Sequence, residues 1–93
     1  MKQVTIKNIG ATADLTFYAF EIRLEYIEAT IKRKGYATEL MRRICAFADV
    51  KKLDVSLLPV ANSGMKLELL RKWYASFGFK DYESGMIREN IRE

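Results

Sequence analysis

A chain of 93 residues, 49% hydrophobic and 12% aromatic, has apolar side chains enough for one core and too little length for two, so residues 1–93 read as a single globular domain. It has no histidine and one cysteine, Cys45, which excludes Ser-His and Cys-His relays, a cysteine–histidine zinc site and an internal disulfide, and fits a reducing cytoplasm. The formal charge of +4 at pH 7 points to an anionic partner, and with no apolar run near 18 residues and no signal-like segment, neither a membrane span nor a secretory leader is expected.

In chain order, strands are predicted over residues 3–9, 14–19 and 21–29, with Asn8-Ile9-Gly10-Ala11-Thr12-Ala13-Asp14 as the turn between the first two. The third run alternates: Ile22, Leu24 and Tyr26 fall on one face, Glu21, Arg23 and Glu25 on the other, and Glu28 has the opposite parity to those acids. Gly35 breaks the pattern. From Tyr36 to about Ala48 the period is helical, with Leu40, Met41, Ile44, Phe47 and Ala48 on one stripe and Cys45 beside it as a buried thiol. A short strand follows over residues 53–58, closed by Pro59, and a second amphipathic helix over residues 63–76 carries Leu67, Leu70, Tyr74 and Phe77. Gly78 stops that helix, and residues 79–82 and 86–90 form a hairpin about Ser84-Gly85. The order is βββ-α-β-α-ββ, an α/β (α+β) chain whose central strand–helix–strand unit implies a parallel pair inside a mixed sheet.

Lys32, Arg33 and Lys34 immediately precede Gly35 and the first helix. A helix N-terminus carries about +0.5 charge, so each cation there forgoes about 0.3–1 kcal/mol that an acid would gain. A bound anion reverses the balance, because backbone N–H groups of the first turn bind phosphate oxygens and small residues such as Gly35 and Ala37 let the phosphate approach. A solvated basic turn is the plain alternative. Neither G-x-x-x-x-G-K-[ST] nor G-x-G-x-x-G occurs.

Two stretches together resemble the GCN5-related N-acetyltransferases, the GNAT family. Lys32-Arg33-Lys34-Gly35-Tyr36-Ala37 is similar to that family's [Arg/Gln]-x-x-Gly-x-[Gly/Ala] loop, with Lys32 where Arg or Gln is usual, and Trp73-Tyr74-Ala75-Ser76-Phe77-Gly78-Phe79 resembles its Phe-Tyr-x-x-x-Gly-Phe helix end. The likeness covers residues 17–90 and is greatest to compact phage and bacterial members. The family's first strand and first two helices, which help bind the acceptor, have no counterpart, so a minimal, truncated GNAT-like sheet is expected, with a homodimer or protein partner covering its open face.

The resemblance implies an acetyl-coenzyme A-dependent acyltransferase acting on an amine, either small or a protein lysine or N-terminus; no residue names the acceptor. The pyrophosphate would sit on Lys32, Arg33, Lys34, Gly35, Tyr36, Ala37 and Thr38, and the pantetheine arm would pair with the backbone of Ile27, Glu28 and Ala29. Tyr74 matches the tyrosine placed near the sulfur, where a phenol can protonate the departing thiolate; without the resemblance it reads as a core tyrosine. A strand glutamate can assist amine deprotonation. Counting back from the loop favours Glu21 and proximity to the thioester favours Glu25; the pair is taken, with Glu25 first.

A second reading from composition is a nucleic-acid-binding module using Lys32 to Lys34, Arg42, Arg43, Lys51 and Lys52 with Tyr18 and Tyr26 stacking on bases. A third keeps the fold as a binding module without turnover.

Overall fold

A computed structural model describes residues 1–31, 34–59 and 66–90. Six strands and two helices follow the order βββ-α-β-α-ββ: β1 (Lys2–Asn8), β2 (Ala11–Phe17), β3 (Glu21–Ala29), α1 (Tyr36–Lys51), β4 (Asp54–Leu57), α2 (Leu67–Ala75), β5 (Lys80–Tyr82) and β6 (Gly85–Arg88). The strands form one mixed sheet in the order β1-β2-β3-β4-β6-β5, parallel at β3–β4 and antiparallel elsewhere. The parallel pair sits where the strand–helix–strand pattern requires it, because a chain that crosses over through a helix returns to the same end of the sheet.

The core lies on one face. Leu40, Met41, Ile44 and Ala48, spaced three and four apart along α1, are buried against Ala11, Ala13 and Leu15 of β2 and Ile22 and Leu24 of β3, while α2 contributes Leu70 and Tyr74. Each fully buried aliphatic side chain stabilises the fold by about 1.5–3 kcal/mol, which makes this stripe the main source of cohesion. The other face carries no helix among the described residues. Its strands present Thr5, Asp14, Glu21, Arg23 and Ser56, so the face that lacks a cover is polar, not apolar.

The turn after β1 is much shorter than the composition of Asn8 to Asp14 suggests. Ile9 and Gly10 alone make it, and Ala11 and Ala13 are buried strand residues whose small side chains let α1 come close. Phe47, expected on the buried stripe, is 44% exposed and meets Phe17 edge-on at 5.9 Å between ring centroids. Leu67 is exposed at the start of α2, and the predicted first turn of that helix, residues 63–65, lies outside the described residues.

The larger correction concerns β3. Leu24 pairs with Leu15 and Tyr26 with Asp14, so Glu25 is an extra residue, a β-bulge. Alternation resumes with inverted parity: Ile27 and Ala29 pair with Ala13 and Ala11 on the helix face, whereas Tyr26 and Glu28 pair with Asp14 and Thr12 on the other. Tyr26 is therefore no core residue; it is 46% exposed, and its hydroxyl donates to the Glu28 carboxylate. Glu28, assigned the opposite parity to Glu21 and Arg23 from the sequence, shares their face.

Candidate functional site

The parallel pairing of β3 and β4 runs from Glu21↔Asp54 to Leu24↔Leu57 and ends there. Beyond it β3 continues through Glu25, Tyr26, Ile27, Glu28 and Ala29, paired on its other side with β2, while β4 has stopped. The sheet thus forks, and the bulge at Glu25 stands at the branch point. Along the open side of this segment the β3 backbone faces no strand among the described residues, and outward-pointing N–H and C=O groups there can pair with an extended ligand as with a further strand.

The fork leads to the start of α1. Gly35 is the N-cap residue, with φ 76° and ψ 13° in the left-handed region, and no side chain among the described residues caps the helix. The first helical hydrogen bond runs from the Glu39 N–H to the Gly35 carbonyl at 3.0 Å. The N–H groups of Tyr36, Ala37 and Thr38 precede it and are directed out of the helix end. A Cβ built on Gly35 would meet nothing within 4 Å among the described residues, which leaves space open beside those donors. Lys34 is exposed next to them; Lys32 and Arg33 lie outside the described residues.

This helix end is braced from two directions. The Asn8 side-chain amide donates to the Tyr36 carbonyl at 3.0 Å and accepts from the Gly10 N–H at 3.0 Å, and the Gly10 carbonyl accepts from Thr30 (2.8 Å) and Ile31 (3.1 Å). A Cβ on Gly10 would fall inside the Tyr36 ring, so only glycine lets the β1–β2 turn seat that aromatic. From α2, the Trp73 indole N–H donates to the Thr38 hydroxyl at 3.3 Å. The contact spans 35 residues and joins the second motif to the residue that directly follows the first.

Beside Trp73, Tyr74 is 7% exposed, with its ring 5.1 Å from Trp73 and 5.8 Å from Phe79. Among the described residues its hydroxyl has no hydrogen-bond partner. Burial pushes its pKa above the usual phenol value, so the hydroxyl keeps its proton at neutral pH and is a donor, not a base.

The two candidate glutamates are placed differently. Glu25 is exposed; its carboxylate lies 3.5 Å from the Arg23 Nε and accepts weakly from buried Thr16 at 3.4 Å. Glu21 accepts from the Ser56 hydroxyl at 2.8 Å and lines a cavity of about 280 Å3 on the helix-free face with Arg23, Ser56, Leu58, Tyr82 and Ile87. Ser56 and Tyr82 were not marked by sequence. The signal was there for Ser56, a lone hydroxyl between Val55 and Leu57 whose parity opposes theirs; Tyr82 reaches the cavity only through the β5–β6 hairpin, which local pattern does not position. A second cavity, about 380 Å3, is bounded by Asp49, Phe77 and Arg88 beside the C-terminal turn of α1.

Neither a protein-family model nor a curated protein sequence matches this chain. Among solved structures, the chain is similar in fold to the crystal structure of the anti-CRISPR protein AcrVA5, with a TM-score of 0.80 over 94% of this chain and 97% of that one, at 20% sequence identity.

Proposed function

We propose that the chain is an acetyl-coenzyme A-dependent N-acetyltransferase of the GNAT type, with a minimal version of that sheet. The observation that carries this reading is the fork: β3 outruns β4 by the five residues Glu25 to Ala29 and delivers the chain to an uncapped helix end with open space at Gly35. An extended pantetheine arm with a pyrophosphate at one end has those dimensions and those needs, strand-like pairing along Ile27 to Ala29 and anion donors at Tyr36, Ala37 and Thr38.

In the reaction, the acceptor amine nitrogen forms a bond to the thioester carbonyl carbon and the carbon–sulfur bond breaks, leaving an amide and a thiolate. The proton lost by the amine passes to a carboxylate or to water. The thiolate would take the proton of the Tyr74 hydroxyl, which burial keeps protonated, and the phenolate left behind would regain a proton from solvent, matching the one the amine releases. Of the glutamates, Glu21 is better placed to receive a cationic acceptor, since it opens on a cavity whose Tyr82, Leu58 and Ile87 can flank an aliphatic stem, whereas Glu25 is engaged by Arg23 and Thr16. The anti-CRISPR role named for the structural neighbour makes a protein of a CRISPR system one acceptor class to try.

The test is a thermal shift with acetyl-coenzyme A. At about 100-fold excess over Kd, binding stabilises the folded state by about 2.7 kcal/mol, and a flat response overturns the proposal. Tyr74→Phe then separates chemistry from binding. Because the hydroxyl has no partner among the described residues, stability should change by less than about 1 kcal/mol, cofactor affinity should hold, and turnover should fall by about 10²–10⁴. Log-linear loss of nucleic-acid affinity with salt, without any effect of acetyl-coenzyme A, would instead favour the nucleic-acid module.

A further inference from the structure

The six-stranded sheet has two edges, and they differ in kind. β5 is three residues long and is occupied by charge: Lys80 pairs with Glu89, and Asp81 binds Arg71 at 2.7 Å. β1 is seven residues long, lies at the other edge, and contains no proline, glycine or bulge. Such an edge presents a row of unpaired backbone donors and acceptors, a template for another strand. At its ends stand two of the most exposed large apolar side chains among the described residues, Met1 at 90% and Ile9 at 80%.

We propose that β1 pairs with β1 of a second copy, antiparallel about a two-fold axis through Thr5, joining two six-stranded sheets edge to edge. The register follows from side chains. Centred on Thr5, Met1 comes opposite Ile9, Lys2 opposite Asn8, Gln3 opposite Lys7 and Val4 opposite Ile6, and each pair occurs twice as an isologous interface requires. Both lysines face amides, and no like charges oppose. Val4 and Ile6, half-buried on the helix face through their pairing with Leu15 and Ala13, extend the apolar core of one copy into that of the other. Slipping two residues either way destroys this match. Centred on Val4, Lys2 meets Ile6 and Met1 meets Lys7; centred on Ile6, Asn8 meets Val4 and Gln3 meets Ile9. The occupant is therefore a second copy, since a strand of unrelated sequence has no cause to repeat this palindrome of apolar and amide-matched positions.

The experiment uses the intact chain, its oligomeric state by sedimentation equilibrium and its register by cysteine cross-linking. Directly opposed residues in an antiparallel pair bring their Cβ atoms close enough for a disulfide, and native Cys45 is buried and does not compete. Thr5→Cys should form a covalent dimer on mild oxidation at least about tenfold more than Lys7→Cys alone, and mixing Gln3→Cys with Lys7→Cys should restore the cross-link. A purely monomeric mass up to about 0.5 mM overturns the proposal, as does a dimer in which Thr5→Cys and Lys7→Cys cross-link equally. The outcome does not depend on whether acetyl-coenzyme A binds.

Discussion

Gly35 holds a left-handed backbone, φ 76°, at the mouth of the candidate site. A residue with a Cβ costs about 1–2 kcal/mol in that conformation, asparagine less, so a substitution here acts on the fold as well as on any ligand. Gly35→Ala should lower stability in denaturant unfolding by about 1 kcal/mol, and Gly35→Asn by a smaller amount. The variants then divide strain from charge. If the uncapped N–H groups hold a pyrophosphate, Gly35→Glu should bind acetyl-coenzyme A far more weakly than Gly35→Asn in titration calorimetry. Equal affinities would mean that no anion sits beside Gly35. The glycine was legible in the sequence because it ends one period and begins another; its sign of φ was not, since both turn directions accept glycine.

At the scale of elements, the bulge in β3 decides which residues face the site. Deleting Glu25 removes the extra residue while leaving Tyr26, Ile27, Glu28 and Ala29 opposite their present partners on β2. The variant should keep its thermal midpoint within about 4–8 °C, the shift that 1 kcal/mol produces in a domain this size. The fork, however, loses the local twist that a bulge imposes, and stabilisation by acetyl-coenzyme A should shrink. A deletion variant that still shows the full ligand shift would remove the bulge from the site. Element types and order were readable, since period 2 gives way to 3.6 at Tyr36 and returns at Asp54. The bulge was not, because alternation is clean from Glu21 to Tyr26 and puts Tyr26 on the core face; the doublet Tyr26-Ile27 breaks the period, but which residue is extra exists only against the partner strand. Ala11 and Ala13 misled for a related reason: beside Gly10, Thr12 and Asp14 they carry the composition of a turn, and only burial under α1 makes them strand.

Across the whole molecule, Arg88 closes the structure at the end away from the fork. Its guanidinium binds the Asp49 carboxylate of α1 through two hydrogen bonds, at 2.8 and 3.0 Å, and its Nε donates to the Phe77 carbonyl at 2.8 Å. One side chain on β6 thus ties the end of the first helix to the exit from the second, across separations of 39 and 11 residues that no local pattern reveals. The arginine holds the Asp49 carboxyl below its ordinary value of 3.8. A depressed carboxyl contributes stability above the unfolded pKa and loses it as pH falls through the folded one. Asp49→Asn should therefore be less stable at pH 7 and show a shallower loss below pH 3.8 in acid unfolding. Because the carboxylate is half exposed, solvent screening keeps the difference within about 1 kcal/mol.

Trp73 is the chain's one tryptophan, and its indole N–H rests on the Thr38 hydroxyl in the first turn of α1. The molecule therefore carries a native optical reporter within one hydrogen bond of its proposed anion cradle. Any ligand that draws Thr38 toward itself alters the polarity around that indole, so the wavelength of its emission or its quenching by iodide should follow occupancy in unlabelled protein.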